Sequence, residues 1–299
     1  MMAIGIGLDS FSYHRFFGNL GPKDQPTSIR WTTSDFLERA VELDVDAVSL
    51  QTAFMPKLDP HVIQSLKEKL AAIGMEAVLA WGHPTGLEGG TSPEKTEDLL
   101  STVRAAGKLE CRLVRFVAGD LFYHKIPVLE RTERLIPILR KVALTAEEIG
   151  LPLAIENHGD LAMKDLVAMV ERVRMDNLGI CFDAMNAVRV GDNLTEALTL
   201  AAPHIRMVHV RDFLPFSVQP AAVEDFWPSA PLGRGRLEID GFIGFLESYG
   251  YEGDLFVEMA YMHPAYPDED AAVAESIAYL RHRLAKGKAG RGGSSITVD

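Results

Sequence analysis

The chain has 299 residues, 47% of them hydrophobic, with a mean hydropathy of +0.04, enough apolar material to bury the core of one large α/β domain. A net charge of −12 and a pI near 5.2 exclude the basic face that binding to a nucleic-acid backbone requires, and point to a small-molecule partner. The two cysteines, Cys111 and Cys181, form no CxxC spacing, which argues against a disulfide framework or a thiolate metal site and fits a reduced cytoplasm. The apolar run at residues 4–8 is too short and glycine-broken for a signal peptide or membrane span, so a cytoplasmic protein without a membrane partner is expected.

Strand-like and helix-like segments then alternate. The first strand is expected at residues 3–12, followed by a turn-rich loop and a helix starting at Ser34 with Thr33 or Ser34 as its cap. Strands follow at Ala47–Gln51, 77–81, Leu113–Val117, Leu153–Glu156, 178–182, 207–210 and 255–258. Helices fall at Pro60–Ile73, 92–106, 128–149, Met163–Val173, Leu194–Ala201, 241–249 and 268–284. Consecutive strands never adjoin, which implies a parallel sheet. Eight strand-then-helix units without a GxGxxG after the first strand predict an α/β fold of the closed (β/α)8 TIM-barrel type. One domain over residues 1–284 is expected, with a disordered Gly/Ser/Lys-rich tail over 285–299.

Four of these strands end alike. In LPLAIENHGD, ICFDAMN, MVHVRD and LFVEM a buried apolar run delivers Glu156, Asp183, His209 and Glu258 to the C-terminal rim, where barrels do their chemistry. Three carboxylates and an imidazole at one point repel one another unless a cation sits among them, and divalent metals favour this O/N set. Alternation along a strand puts His158 on the side of Glu156 and Arg211 on the side of His209. A carboxylate at such a position can also cap the next helix, the plainer reading of Asp183.

The motifs IENHG, FDAMN, VHVRD and PLGRGRLEIDGFIGFLESYGYEGDLFVEM, in this order over residues 4–284, resemble the xylose isomerase-like barrel superfamily, which spans sugar isomerases, ketose 3-epimerases, inosose dehydratase and endonuclease IV. The resemblance implies that Glu156 and Glu258 bind a divalent cation and move protons, while Asp183 and His209 act as ligands only. Manganese is the expected ion, with magnesium, cobalt and zinc as alternatives. The superfamily often carries a histidine where this chain has Asn186, a poor ligand but a good partner for a substrate hydroxyl, and that departure weighs against a nuclease. His83, His158, Asn186, Arg211, Trp227 and Arg234 are expected to touch substrate.

The chemistry expected is proton transfer through an enediolate by two carboxylates, giving a keto-sugar isomerase or epimerase. A lyase or dehydratase that eliminates β to a carbonyl, including cleavage of an oxidised glycoside, is the alternative, ahead of a non-catalytic barrel subunit. The long segment 213–239, carrying Phe216, Phe226, Trp227, Arg234 and Arg236, is expected to form a lid over a carbohydrate. An aromatic patch of Phe16, Phe17, Phe216 and Trp227 suggests a homo-oligomer.

Overall fold

The computed structural model describes residues 4–21, 24–82, 85–119, 126–215 and 227–291. Eight parallel strands close into a barrel: β1 (Ile6–Asp9), β2 (Ala47–Gln51), β3 (Glu76–Ala80), β4 (Leu113–Val117), β5 (Leu153–Glu156), β6 (Leu178–Asp183), β7 (Ile205–Val210) and β8 (Leu255–Val257). Each strand pairs with the next in sequence, and β8 returns to β1 through Ile6 opposite Leu255. The predicted (β/α)8 architecture is therefore the observed one.

The helices are α1 (Thr33–Glu42), α2 (Pro60–Ile73), α3 (Pro93–Leu109), α4 (Val128–Glu147), α5 (Met163–Val173), α6 (Ala184–Arg189), α7 (Leu194–Ala201), α8 (Ile239–Tyr249) and α9 (Glu269–Arg291). Local chemistry sets their ends. Asp59 accepts from the backbone N–H groups of His61 and Val62 at 2.9 Å to start α2, and Gly74 stops it at φ +65°. Thr32, one residue before the expected caps, starts α1 in a reciprocal box with Asp35.

Several elements differ from expectation, most by one to three residues at an end, and the larger differences have physical reasons. β1 ends at Asp9 rather than residue 12, because the Asp9 side chain accepts from Phe11 N at 2.8 Å and turns the chain into a 3-10 segment at Ser10–Tyr13. The short helix α6 was not anticipated. It follows β6 directly, capped by Asp183 through Asn186 N at 2.8 Å. The last helix continues past residue 284 to Arg291, since the Ala and Lys content there outweighs two glycines; residues 292–299 of the expected tail lie outside the described residues.

Most of the core lies between the barrel and its helices, and a second apolar cluster fills the barrel itself: Ala47, Val78, Leu113, Ala154, Cys181, Met207 and Phe256. Phe256 is fully buried, a contribution of about 1.5–3 kcal/mol, and its ring occupies the space where a Cβ on Gly7 would sit, 2.4 Å away. The floor is thus plugged by one aromatic ring that needs a glycine opposite. Period-two alternation then sends polar side chains inward two residues further along: Asp9 after Gly7, Ser49 after Ala47, Arg115 after Leu113, Glu156 after Ala154, Asp183 after Cys181, His209 after Met207 and Glu258 after Phe256.

Segment 213–239 is only partly the irregular lid expected. Asp212–Phe213 pairs antiparallel with Ser229–Ala230, and the buried Asp212 carboxylate accepts from the backbone N–H groups of Phe213, Gly233, Gly235 and Leu237 at 2.8–3.1 Å. A Cβ on Gly235 would come within 2.1 Å of that carboxylate, so the loop can wrap it only with glycine there. No helix among the described residues is long and apolar enough to cross a membrane.

Candidate metal centre

Glu156, Asp183, His209 and Glu258 converge as expected. One ligand atom from each lies within 4.8 Å of all the others, and all four residues are buried. The strands aim them: Asp183 pairs in register with His209 across β6 and β7, while Glu156 and Glu258 come from β5 and the end of β8. Asp183 has one oxygen for each of the readings considered for it. Its Oδ1 caps α6, and its Oδ2 faces the centre.

Sequence reasoning missed a guanidinium in this centre. Arg115 of β4, also buried, forms an ion pair with Glu156 and lies 3.7 Å from Glu258 Oε1. Arg211 contacts Asp183 Oδ2 at 2.8 Å, Glu258 Oε2 at 3.2 Å and the Asn186 amide oxygen at 2.9 Å. Asn186 in turn donates to Glu156 Oε1 at 3.1 Å. Both residues were expected to touch substrate. In the structure Arg211 and the Asn186 amide contact Asp183, Glu258 and Glu156 and brace these carboxylates.

A second missed residue lies behind His209. Asp9, fully buried, accepts hydrogen bonds from Ser49 and from Gln51 Nε2 at 3.1 Å, and its Oδ2 is 3.6 Å from His209 Nε2. The other ring nitrogen, Nδ1, faces Glu156 Oε2 at 3.6 Å and Glu258 Oε1 at 3.7 Å. Neither nitrogen makes a hydrogen bond of good geometry. A ligating histidine that backs onto a carboxylate is the usual way such a ring is held in orientation.

Four carboxylates (Asp9, Glu156, Asp183, Glu258) face two guanidiniums here, and a divalent cation supplies the two missing positive charges. The donor set therefore fits such an ion. Without it the centre is electrostatically uneven. Burial, with Glu156 and Glu258 nearby, overrides the pull of Arg211 and pushes Asp183 up to about 6. Burial and then Glu258 raise Asp9 as well. For Glu156 burial is outweighed by Arg115 and His209, which hold it well below the usual carboxylate range. His209 is shifted up: burial opposes its charge, but Cys181, Glu258 and Glu156 favour it.

The remaining expected site residues divide. His158 is at the rim with Nδ1 buried and without a hydrogen-bond partner, and burial lowers it to about 4, a neutral imidazole at pH 7. Trp227 stacks on Phe213 with ring centroids 4.3 Å apart. Arg234 does not join the centre: it is exposed and paired with Glu275 at 2.7 Å, because its backbone turns around Asp212 and points the guanidinium at α9. His83, Phe216 and Phe226 lie outside the described residues. Of the proposed aromatic patch, Phe16 is 7% exposed and sits in the core, and Phe17 is stacked on Phe54.

Residues 37–283 match the xylose isomerase-like TIM barrel family, and the chain belongs to that family. A 3-oxo-isoapionate decarboxylase from Pectobacterium atrosepticum is 25% identical over 188 residues, 63% of this chain and 62% of the relative, so the match spans less than two thirds of that protein. Among solved structures, an L-ribulose 3-epimerase superposes with a TM-score of 0.73 at 18% identity, covering 99% of this chain and 100% of its own. The IolI protein with a bound zinc atom gives 0.72 at 18% identity, covering 95% and 99%. At these identities the structures speak for the fold.

Proposed function

We propose that this chain is a divalent-cation-dependent isomerase or epimerase of a keto sugar, with Glu156 and Glu258 moving the protons. The observation that carries the reading is the convergence of two glutamates, an aspartate and a histidine within 4.8 Å at the rim of a barrel whose floor is plugged. An L-ribulose 3-epimerase and a zinc-bound barrel among its structural likenesses agree with it.

When bound, the cation supplies Lewis-acid polarisation of a substrate carbonyl, and manganese is the ion this hard O/N set favours, with magnesium, cobalt or zinc as substitutes. The chain's own groups do the rest. Glu156, held ionised by Arg115, is fit to accept a proton from the carbon next to that carbonyl, and Glu258 is fit to return one. Return to the opposite face of the same carbon epimerises, and return to the neighbouring carbon isomerises. Asn186 fixes Glu156 Oε1, Arg211 fixes Glu258 Oε2, and His158 offers a neutral imidazole to a substrate hydroxyl.

A second reading is lyase chemistry on an oxidised, carboxylate-bearing sugar. The relative named as a decarboxylase supports it, and the two buried guanidiniums place positive charge beside the position such a carboxylate would take. One experiment separates the readings: incubation of the manganese-loaded chain with ketoses and 3-oxo sugar acids in D2O, followed by NMR. Deuterium at one carbon with the carbon skeleton intact supports proton shuttling, and loss of a carbon or a β-substituent supports the lyase. A panel without incorporation or cleavage under any of the four metals removes both.

A further inference from the structure

Cys181 takes no part in the chemistry above, yet its sulfur is within ligand distance of it. The residue lies on β6 two positions before Asp183, fully buried in the inner apolar layer, in register with Glu156 on one side and Met207 on the other. Its Sγ, a carboxylate oxygen of Glu156 and a ring nitrogen of His209 all lie within 4.8 Å of one another. Both His209 nitrogens are buried and lack hydrogen bonds of good geometry, whereas Glu156 Oε2 is ion-paired with Arg115, so the imidazole is the donor with free ligand capacity beside the sulfur.

We propose that the barrel holds two overlapping cation sites sharing Glu156 and His209. The upper site is completed by Asp183 and Glu258 and presents only oxygen and nitrogen. The lower is completed by the Cys181 sulfur, one layer nearer the floor. A soft or borderline divalent cation such as cadmium or zinc takes the lower site, because thiolate binds it better than carboxylate does, whereas manganese and magnesium stay in the upper one. On entry the cation replaces the Sγ proton, which leaves to water as the sulfur–metal bond forms, with no change of oxidation state. One ion fills either site but not both, so occupation of the lower site leaves Asp183 and Glu258 without a cation. The inference rests on the four-ligand reading only for the shared pair. Local sequence spacing could not reveal it, since the partners of the thiol come from other strands.

The test is titration of the purified full chain with Cd2+, read as the sulfur-to-metal charge-transfer band in the ultraviolet, with Mn2+ binding followed in parallel by electron paramagnetic resonance. The expected result is a band in the wild-type chain that is lost in Cys181→Ser, with Mn2+ affinity retained. A band undiminished in Cys181→Ser reports Cys111 and overturns the proposal. So does a wild-type chain that binds both ions without any band, which leaves the four-ligand reading standing. A band in a chain that fails to bind Mn2+ supports the lower site and removes the upper. Should Cys181→Ser misfold, the cadmium-113 chemical shift of the wild-type complex decides between sulfur and all-oxygen/nitrogen coordination without any substitution.

Discussion

Two ionic clusters in this barrel, one partly and one fully buried, are built from similar side chains to opposite ends. Near the N-terminus each acid has its own partner: Asp24 bonds His14 at 2.8 Å, Glu269 pairs with Arg15 at 2.5 Å and Asp270 with Arg39 at 2.8 Å, while Tyr13 donates to Asp270 at 2.7 Å. Arg15 and Tyr13 clamp the loop after β1 onto α9, and Arg39 ties α1 to the same helix. In the centre, four carboxylates share two arginines, and a histidine between them has both nitrogens unsatisfied. A paired cluster has nothing left to offer a ligand. An unpaired one is held together only if something else arrives, and that shortfall marks the functional site more sharply than burial or charge alone.

The largest effect is expected where the shortfall meets the chemistry. Glu156→Gln is near-isosteric and should keep the far-UV circular dichroism of the barrel while lowering turnover by about 10²–10⁴-fold and weakening cation binding; undiminished turnover would end the two-carboxylate mechanism. Next comes Arg115→Met. It strips the centre of a counter-charge and should cost about 3–5 kcal/mol in urea unfolding with chelator present, much of it regained on adding Mn2+, because the cation replaces the lost charge. The same loss with and without Mn2+ would mean that Arg115 is a packing residue.

Asp9→Asn sharpens the contrast from behind. Calorimetric Mn2+ affinity should fall by about 10–100-fold, as when the carboxylate orienting a ligating histidine is neutralised; an unchanged affinity would show that Asp9 only turns the chain after β1. In the clamp the pattern should reverse. Arg15→Met leaves the buried Glu269 without its partner at a cost of about 1–3 kcal/mol, and Mn2+ should restore none of it. The smallest effect is a pH dependence. Burial works against the Asp24 charge, but the hydrogen bond from His14 outweighs it and lowers the group below its ordinary value. The unfolded chain therefore binds more protons there, so this stabilisation is full above about pH 4 and lost as pH falls through the depressed value. Asp24→Asn should flatten the acid limb of the stability curve, and an identical limb would assign that limb to other carboxylates.

The barrel and the convergence of the four candidate ligands were legible in the amino-acid sequence because both follow from periodicity. Buried parallel strands read as apolar runs, and a charged residue at the end of each stands out against them. Arg115 was overlooked because it sits inside LVRFV rather than at its end, although the alternation that paired Glu156 with His158 also puts Arg115 on the inner face with Leu113. Asp9 ends the apolar run IGIGL just as the four ligands end theirs; drawing the first strand out to residue 12 hid it. Arg234 misled for a different reason. Its direction depends on how the Gly233–Gly235 turn wraps Asp212, a contact between residues more than 20 positions apart that no local pattern records.

The aromatic plug closes the base of the barrel among the described residues. Phe256 fills the space beside Gly7, and the inner apolar layer continues around it, so a molecule bound at the centre would enter and leave on the rim side. Traffic is then single-file: a product must clear the rim before another substrate descends, and the two compete for one passage as well as for one set of ligands. Slow departure would show itself as simple competitive inhibition by product, and widening the floor through Phe256→Ala would open a cavity without opening a second door.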